Sequence, residues 1–237
     1  MKIPILTYHA IGQGPLILTT PLSTFQSQVR RLLRGGYQSI SFSELGRGRH
    51  QTPKRPVILT FDDAYCSIEP ALEYLAQQDL GATIFVPTAY CGRSGGWPGA
   101  GGPVLDWQAL RKWSRTGFEV GSHGVDHIDL CRLNSAGTRG QLRQSKEEIQ
   151  AHLGTRCRAL AYPFGSCDRR VLLQARDYYR FAVTTRLAWA LPSVHPLALP
   201  RIEMYYFQRP FFWQHFDDRA GALYLSARRL LRSLKRQ

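Results

Sequence analysis

The chain has 237 residues, 43% of them hydrophobic and 20% charged. That suits one domain, or one domain with a small appendage, around a sizeable core, and it excludes a chain disordered by composition. The net charge of +14 creates a field that attracts polyanions: nucleic acid, anionic lipid or a phosphorylated substrate.

The five cysteines, Cys66, Cys91, Cys131, Cys157 and Cys167, are odd in number, widely spaced and free of any C-x-x-C. This argues against a disulfide framework and a cysteine zinc site, and for thiols in a reducing compartment. The apolar start, Ile3 to Leu6, is too short for a signal peptide. No run approaches the roughly 18 to 20 apolar residues that span a bilayer, so a cytoplasmic location is expected.

Along the chain, residues 3–8 read as a short apolar strand. Residues 22–33 read as a helix, with Phe25, Val29, Leu32 and Leu33 at i, i+4, i+7 and i+8 and Gly35-Gly36 as the stop. Residues 57–61 form the continuous apolar strand found in parallel sheets covered on both faces. A helix over 68–78 and a strand over 82–86 follow. The loop 92–102 is rich in glycine around Trp97, and reads either as a solvent loop or as a sugar platform. Asp106 reads as the N-cap of a helix over 107–115, with Trp107 packing. Then come a strand over 118–121, a helix over 141–153, a strand over 158–162, a helix over 169–175 and a strand over 181–184.

Alternating strands and helices mean β-α units in a parallel sheet or barrel, whose chemistry sits at the carboxyl ends of the strands. His9, Asp62-Asp63, Ser122-His123 and Tyr162-Pro163-Phe164-Gly165 each stand at such an end. Two adjacent carboxylates repel unless a cation lies beside them. His123 and His127 are spaced i, i+4, which on a helical turn gives them one face. With Asp63 they make a two-histidine, one-carboxylate set suited to zinc or another divalent ion that activates water, leaving Asp62 to move protons. Taken alone, H-x-x-x-H is a weak signal, and an Asp-Asp pair is more often a cap or a solvated turn. Their conjunction after apolar strands points to metal-assisted hydrolysis. Asp126 and Asp129 read either as supports for the histidines or as plain solvated acids.

The motifs Thr60-Phe61-Asp62-Asp63, Gly121-Ser122-His123 with His127, and Tyr162-Pro163-Phe164-Gly165 resemble the polysaccharide deacetylases of carbohydrate esterase family 4, the NodB homology domain. The resemblance runs from about residue 3 to about residue 202. It implies an α/β fold, a distorted (β/α) barrel with about seven strands, and a zinc ion (or cobalt, nickel or manganese) on Asp63, His123 and His127. It also implies Asp62 as general base and the Phe164 N–H as a donor to the oxyanion. Acetate and a free amine on the sugar would be the products.

Two departures stand out. Ala161 occupies the position where many members carry the arginine that orients the base, and Arg201 could supply that guanidinium or be a surface residue. No clean L-x-H motif follows, although His195 and His215 are present late in the chain. Leu6-Thr7-Tyr8-His9 is similar to the opening of a permuted branch of the family, which implies His9 as general acid.

Residues 217–236 read as one amphipathic helix, with Leu223, Ala227, Leu230 and Leu234 along a stripe and Arg228, Arg229, Arg232 and Lys235 elsewhere. It either packs on the barrel with a solvated basic side or lies on an anionic membrane surface, next to the aromatic cluster 205–213. The expected division is a catalytic domain over 1–202 and an aromatic segment with a basic helix over 203–237. The function expected is N-deacetylation of amino sugars in a glycan or lipid-linked saccharide, in the cytoplasm and peripheral to the inner face of the membrane. A catalytically silent carbohydrate-binding protein on the same barrel is the alternative. No motif supports specific nucleic-acid binding.

Overall fold

The computed structural model describes residues 2–14, 18–46 and 52–234. The strands are β1 (Ile5–Tyr8), β2 (Gln38–Ser39), β3 (Pro56–Phe61), β4 (Thr83–Val86), β5 (Glu119–Ser122), β6 (Ala159–Ala161), β7 (Phe181–Leu187) and β8 (Leu199–Glu203). The helices are α1 (Leu22–Arg34), α2 (Phe42–Leu45), α3 (Glu69–Gln77), α4 (Trp107–Arg115), α5 (Ser135–Leu153), α6 (Arg169–Ala175), α7 (Pro210–Gln214) and α8 (Arg219–Leu234).

Seven parallel strands close a barrel in the order β1, β3, β4, β5, β6, β7, β8, and β8 returns to β1. The short β2 pairs with the foot of β3. This is the distorted (β/α) barrel that the motifs implied. Side chains alternate between two cores, as the two-residue period of a strand requires. Ile5, Ile58, Phe85, Ala159, Ala161, Val183 and Leu199 fill the barrel interior above Phe42. Leu6, Leu59, Ile84, Val120, Leu160 and Ala182 face the outer layer of helices. Carried two residues further along, the inward set becomes polar on β1, β3 and β8: Thr7 and His9, Thr60 and Asp62, Arg201 and Glu203. The barrel floor is therefore dry and its mouth is charged.

Several elements differ from the sequence reading. Helix α5 starts at Ser135, six residues before 141, because the Asn134 side chain caps it by accepting from the Gly137 N–H at 2.8 Å. Gly137 and Gly140 in its first turns hide the apolar period. Ile3 stands outside β1 and bridges antiparallel to Ala190. The segment from His123 to His127 is a loop, not a helical turn: Gly124 and His127 both have positive φ, +77° and +50°.

The C-terminal segment lies against α1. Phe207 and Phe216 are fully buried, the Gln28 side-chain N–H donates to the Phe207 carbonyl, and Asp217 accepts from Arg31 at 2.9 Å and Arg55 at 2.8 Å. The boundary expected after residue 202 cuts β8 one residue before its end. Helix α8 does sit on the barrel, against β7, with Leu225 buried and Gly221 packed on the His215 and Phe216 backbone. Leu223 and Leu230, which the packed reading of the stripe turns inward, are 72% and 63% exposed, and Leu231 and Phe211 are exposed as well. Lys235 and Arg236 lie outside the described residues, as do the side chains of Arg232 and Leu234. No helix among the described residues is long and apolar enough to cross a membrane.

Candidate active site

At the top of β3 the chain turns sharply. Asp62 still follows the strand, its N–H donating to the Tyr8 carbonyl at 2.9 Å. Asp63 and Ala64 then adopt left-handed backbone, at φ 67° and 51°. Such conformations cost a non-glycine residue about 1 kcal/mol or more, and here they let two consecutive carboxylates reach different partners.

Asp62 is taken by Arg201. The guanidinium donates Nη1 to Oδ1 and Nη2 to Oδ2, both at 2.6 Å. Its Nε donates to the Thr184 carbonyl and its Nη1 also reaches the Thr60 hydroxyl. Both side chains are almost fully buried, at 2% and 3% exposure. Burial pushes the Asp62 carboxyl up, but the charge of Arg201 and its two hydrogen bonds outweigh it and hold Asp62 below the usual carboxylate range. The structure thus places Arg201 in the fork geometry that an orienting arginine needs, although it comes from β8 and not from the Ala161 position.

Asp63 meets the histidines. Its Oδ1 lies 3.5 Å from His123 Nε2 and 3.2 Å from His127 Nε2, and it is buried without a hydrogen-bond partner. The three donors fall within 4.8 Å of one another. The Ala161 carbonyl, 2.7 Å from His123 Nδ1, can only accept. Nδ1 therefore carries the proton, and the Nε2 lone pair points at Asp63. An orphaned buried carboxylate oxygen facing an imidazole lone pair fits a divalent cation. The His127 ring is steadied by Trp97 at 4.5 Å and Phe164 at 4.7 Å. Trp97 packs against Tyr65 and His127 and is 8% exposed, so most of its surface supports the His127 ring.

His9 stands between two carboxylates: Nε2 is 3.9 Å from Asp62 Oδ2, and Nδ1 is 3.7 Å from Glu203 Oε2. Burial raises the Glu203 carboxyl, and the charges of His9 and Arg201 offset only part of that. Phe164 sits at φ 59° with its ring 46% exposed at the rim. Gly165 follows at φ 71°, crowded so closely by Thr185 that a Cβ has no room. His9, Asp62, Asp63, His123, His127, Phe164, Gly165 and Glu203 line one cavity of about 390 Å³, together with Leu18, Trp97, Tyr162, Thr185 and Tyr206.

The other singled-out residues are structural. Asp106 caps α4, and Trp107 stacks on His152. Asp126 accepts from Gln141, whose carbonyl oxygen holds the Val125 and Asp126 N–H groups, so it braces the histidine loop from behind. Asp129 caps the turn at Leu130. His215 pairs with Asp218 away from the cavity. Glu203 escapes the motif reading, yet it lies two residues after Arg201 on the same strand, which the two-residue period could have flagged.

The family model described as polysaccharide deacetylase matches residues 49–180. The chain belongs to the polysaccharide deacetylase family. The match takes in Asp62, Asp63, His123, His127 and Phe164, and leaves His9, Arg201 and Glu203 outside it. Among curated deacetylase relatives, the chain is 27% identical to YxkH of Bacillus subtilis over 208 residues, which are 86% of this chain and 71% of that protein. It is 32% identical to a chitin deacetylase of Colletotrichum lindemuthianum over 114 residues, covering 47% of this chain and 43% of the relative. A crystal structure of a polysaccharide deacetylase from Bacillus cereus superposes with a TM-score of 0.73 at 28% identity, over 85% of this chain and 64% of that one. The Streptococcus pyogenes deacetylase PplD, in complex with acetate, gives 0.75 at 28%, over 85% and 92%. IcaB from Ammonifex degensii shares the fold, at 0.77 and 21% identity over 90% and 94%. The chain thus spans a little under two thirds of the Bacillus cereus protein.

Proposed function

We propose that the protein is a metal-dependent N-deacetylase acting on N-acetylated amino sugars in a glycan or a lipid-linked saccharide. The observation that carries this is the convergence of Asp63, His123 and His127 beside an ionised, arginine-held Asp62. A divalent ion on these three ligands, zinc first among the ions such a set accepts, supplies Lewis-acid activation of water and of the acyl carbonyl. Asp62 keeps free lone pairs beyond its two bonds to Arg201, and it takes a proton from the attacking water. The Phe164 N–H donates to the developing oxyanion. His9, fixed between Asp62 and Glu203, gives a proton to the departing nitrogen as the C–N bond breaks, leaving acetate and a free amine. That acid stands just after β1, where the resemblance to a permuted branch implies it.

The exposed Leu223, Leu230, Leu231 and Phe211 support a peripheral contact with an anionic membrane surface from the cytoplasmic side. Flotation with anionic vesicles tests it: a triple L223S/L230S/L231S variant should stay at the bottom of the gradient where the parent floats.

The decisive assay is acetate release from N-acetylated oligosaccharides by zinc-reconstituted protein, with Asp62→Asn as the blank. Turnover in the parent and none in the variant supports the reading. Oligosaccharide binding without acetate from the parent would instead favour a silent carbohydrate-binding protein.

A further inference from the structure

The catalytic cavity does not stop at Phe164. Gly165 and Thr185 belong both to its wall and to that of a second groove of about 760 Å³. Three arginines from three elements line this groove: Arg169 from α6, Arg186 from β7 and Arg229 from α8. None of the three has a carboxylate within ion-pair distance among the described residues. Asp168 is the groove's lone acid, and it is occupied: it caps α6 by accepting from the Val171 N–H at 2.7 Å and lies 3.8 Å from Arg170. A fourth guanidinium, Arg228, lies over the ring of Tyr206 at 4.1 Å, and Tyr206 lines the catalytic cavity. The Nε of Arg228 is buried without a hydrogen-bond partner.

Like charges gathered on one concave wall repel each other, and they focus a field that concentrates anions. Guanidinium forks match phosphate and carboxylate oxygens. The catalytic cavity has the opposite character, with Asp62, Asp63 and Glu203 in its lining. A phosphate or carboxylate on the substrate therefore meets three acids at the reacting centre and three guanidinium groups without ion-pair partners next to it. Binding energy from such a remote group can hold the reacting group in position.

We propose that the substrate is an anionic N-acetylated saccharide, carrying a phosphate or a carboxylate that sits between α6, β7 and α8 while its acetamido group enters the catalytic cavity. The acetamido end of this assignment rests on the deacetylase reading above. The anionic end rests on the groove alone.

Calorimetric titration of the full chain tests it with three ligands: neutral chitotriose, chitotriose 1-phosphate and a hyaluronan tetrasaccharide, whose charge is uronate. At low salt, at least one anionic ligand should bind about tenfold or more tightly than chitotriose, one charge-assisted contact being enough for that. Preference in the phosphate arm alone identifies a phosphate ester, and preference in the uronate arm alone identifies a carboxylate. The preference should collapse toward one in R186E/R229E and fall partway in Arg186→Gln, a milder change that guards against misfolding of the double variant. Arg30→Glu, an exposed charge reversal on α1, should leave it intact. Equal binding of all three ligands by the parent overturns the proposal, and so does a preference that survives R186E/R229E. Acetate release from the same ligands separates the two readings. Anion preference without acetate keeps the groove and sinks the deacetylase; acetate without preference does the reverse.

Discussion

Arg201 and Asp62 form a buried pair that works only as a pair. Desolvation penalises each alone, and the fork geometry compensates both. Arg201→Ala should therefore cost roughly 3–5 kcal/mol of stability by leaving a buried carboxylate unmatched, and Arg201→Lys should recover only part, since an ammonium cannot donate to both oxygens from one plane. Urea denaturation of the metal-free protein reads this. The pH dependence has a definite sign. The folded carboxyl of Asp62 lies below its unfolded value of about 3.9. The pair's contribution is then complete above that pH and drains away as pH falls through the folded value. The gap in urea midpoint between parent and Arg201→Ala should be wide at pH 6 and narrower near pH 3. A constant gap would mean that Arg201 stabilises by packing alone.

At the scale of elements, the two-residue period of the strands carries both fold and site. On β5 the inward position below His123 is Gly121, and a Cβ there would stand 2.6 Å from the Phe85 ring and 3.0 Å from the Ala159 carbonyl. Gly121→Ala should cost about 1–3 kcal/mol by overpacking, seen as a lowered thermal midpoint. Phe85→Leu in the same chain should return part of the loss; no recovery would place the strain in the backbone instead. Six of the seven barrel strands were legible, most of them from apolar runs such as Val57 to Phe61, whereas β8, with Pro200, Arg201 and Glu203 among its five residues, leaves no such run. Strand β2 and helix α2, at two and four residues, are too short to leave a period. The histidine pair was legible as a ligand set but not as a loop, because i, i+4 spacing says helix until Gly124 and the positive φ of His127 are seen. Arg201 was legible as a candidate, and Glu203 went unseen, because only barrel closure brings β8 against β1 and so Glu203 against His9. The stripe on α8 told of amphipathicity but not of orientation: Gly221 packs on the His215 and Phe216 backbone and Leu225 is buried, while Leu223 and Leu230 are exposed.

For the whole molecule, the barrel joins what the chain separates. Asp63 follows β3, while His123 and His127 follow β5, and the unfolded chain holds no such convergence. A metal that binds the folded state and ignores the unfolded one adds stability by mass action, about 2.7 kcal/mol at a hundredfold excess over its Kd. For a chain of this size that corresponds to a rise of roughly 5–10 °C in Tm. Zinc added to chelator-stripped protein should produce that rise, and EDTA should reverse it. Asp63→Asn removes the ionised carboxylate whose Oδ1 has no hydrogen-bond partner, so the variant should melt near the stripped parent and gain little from zinc. His9→Ala, which changes no ligand, should show the full gain. A flat response in the folded parent would mean that Asp63 and the two histidines meet for some purpose other than holding a cation, and the acetate assay would then fail for the same reason.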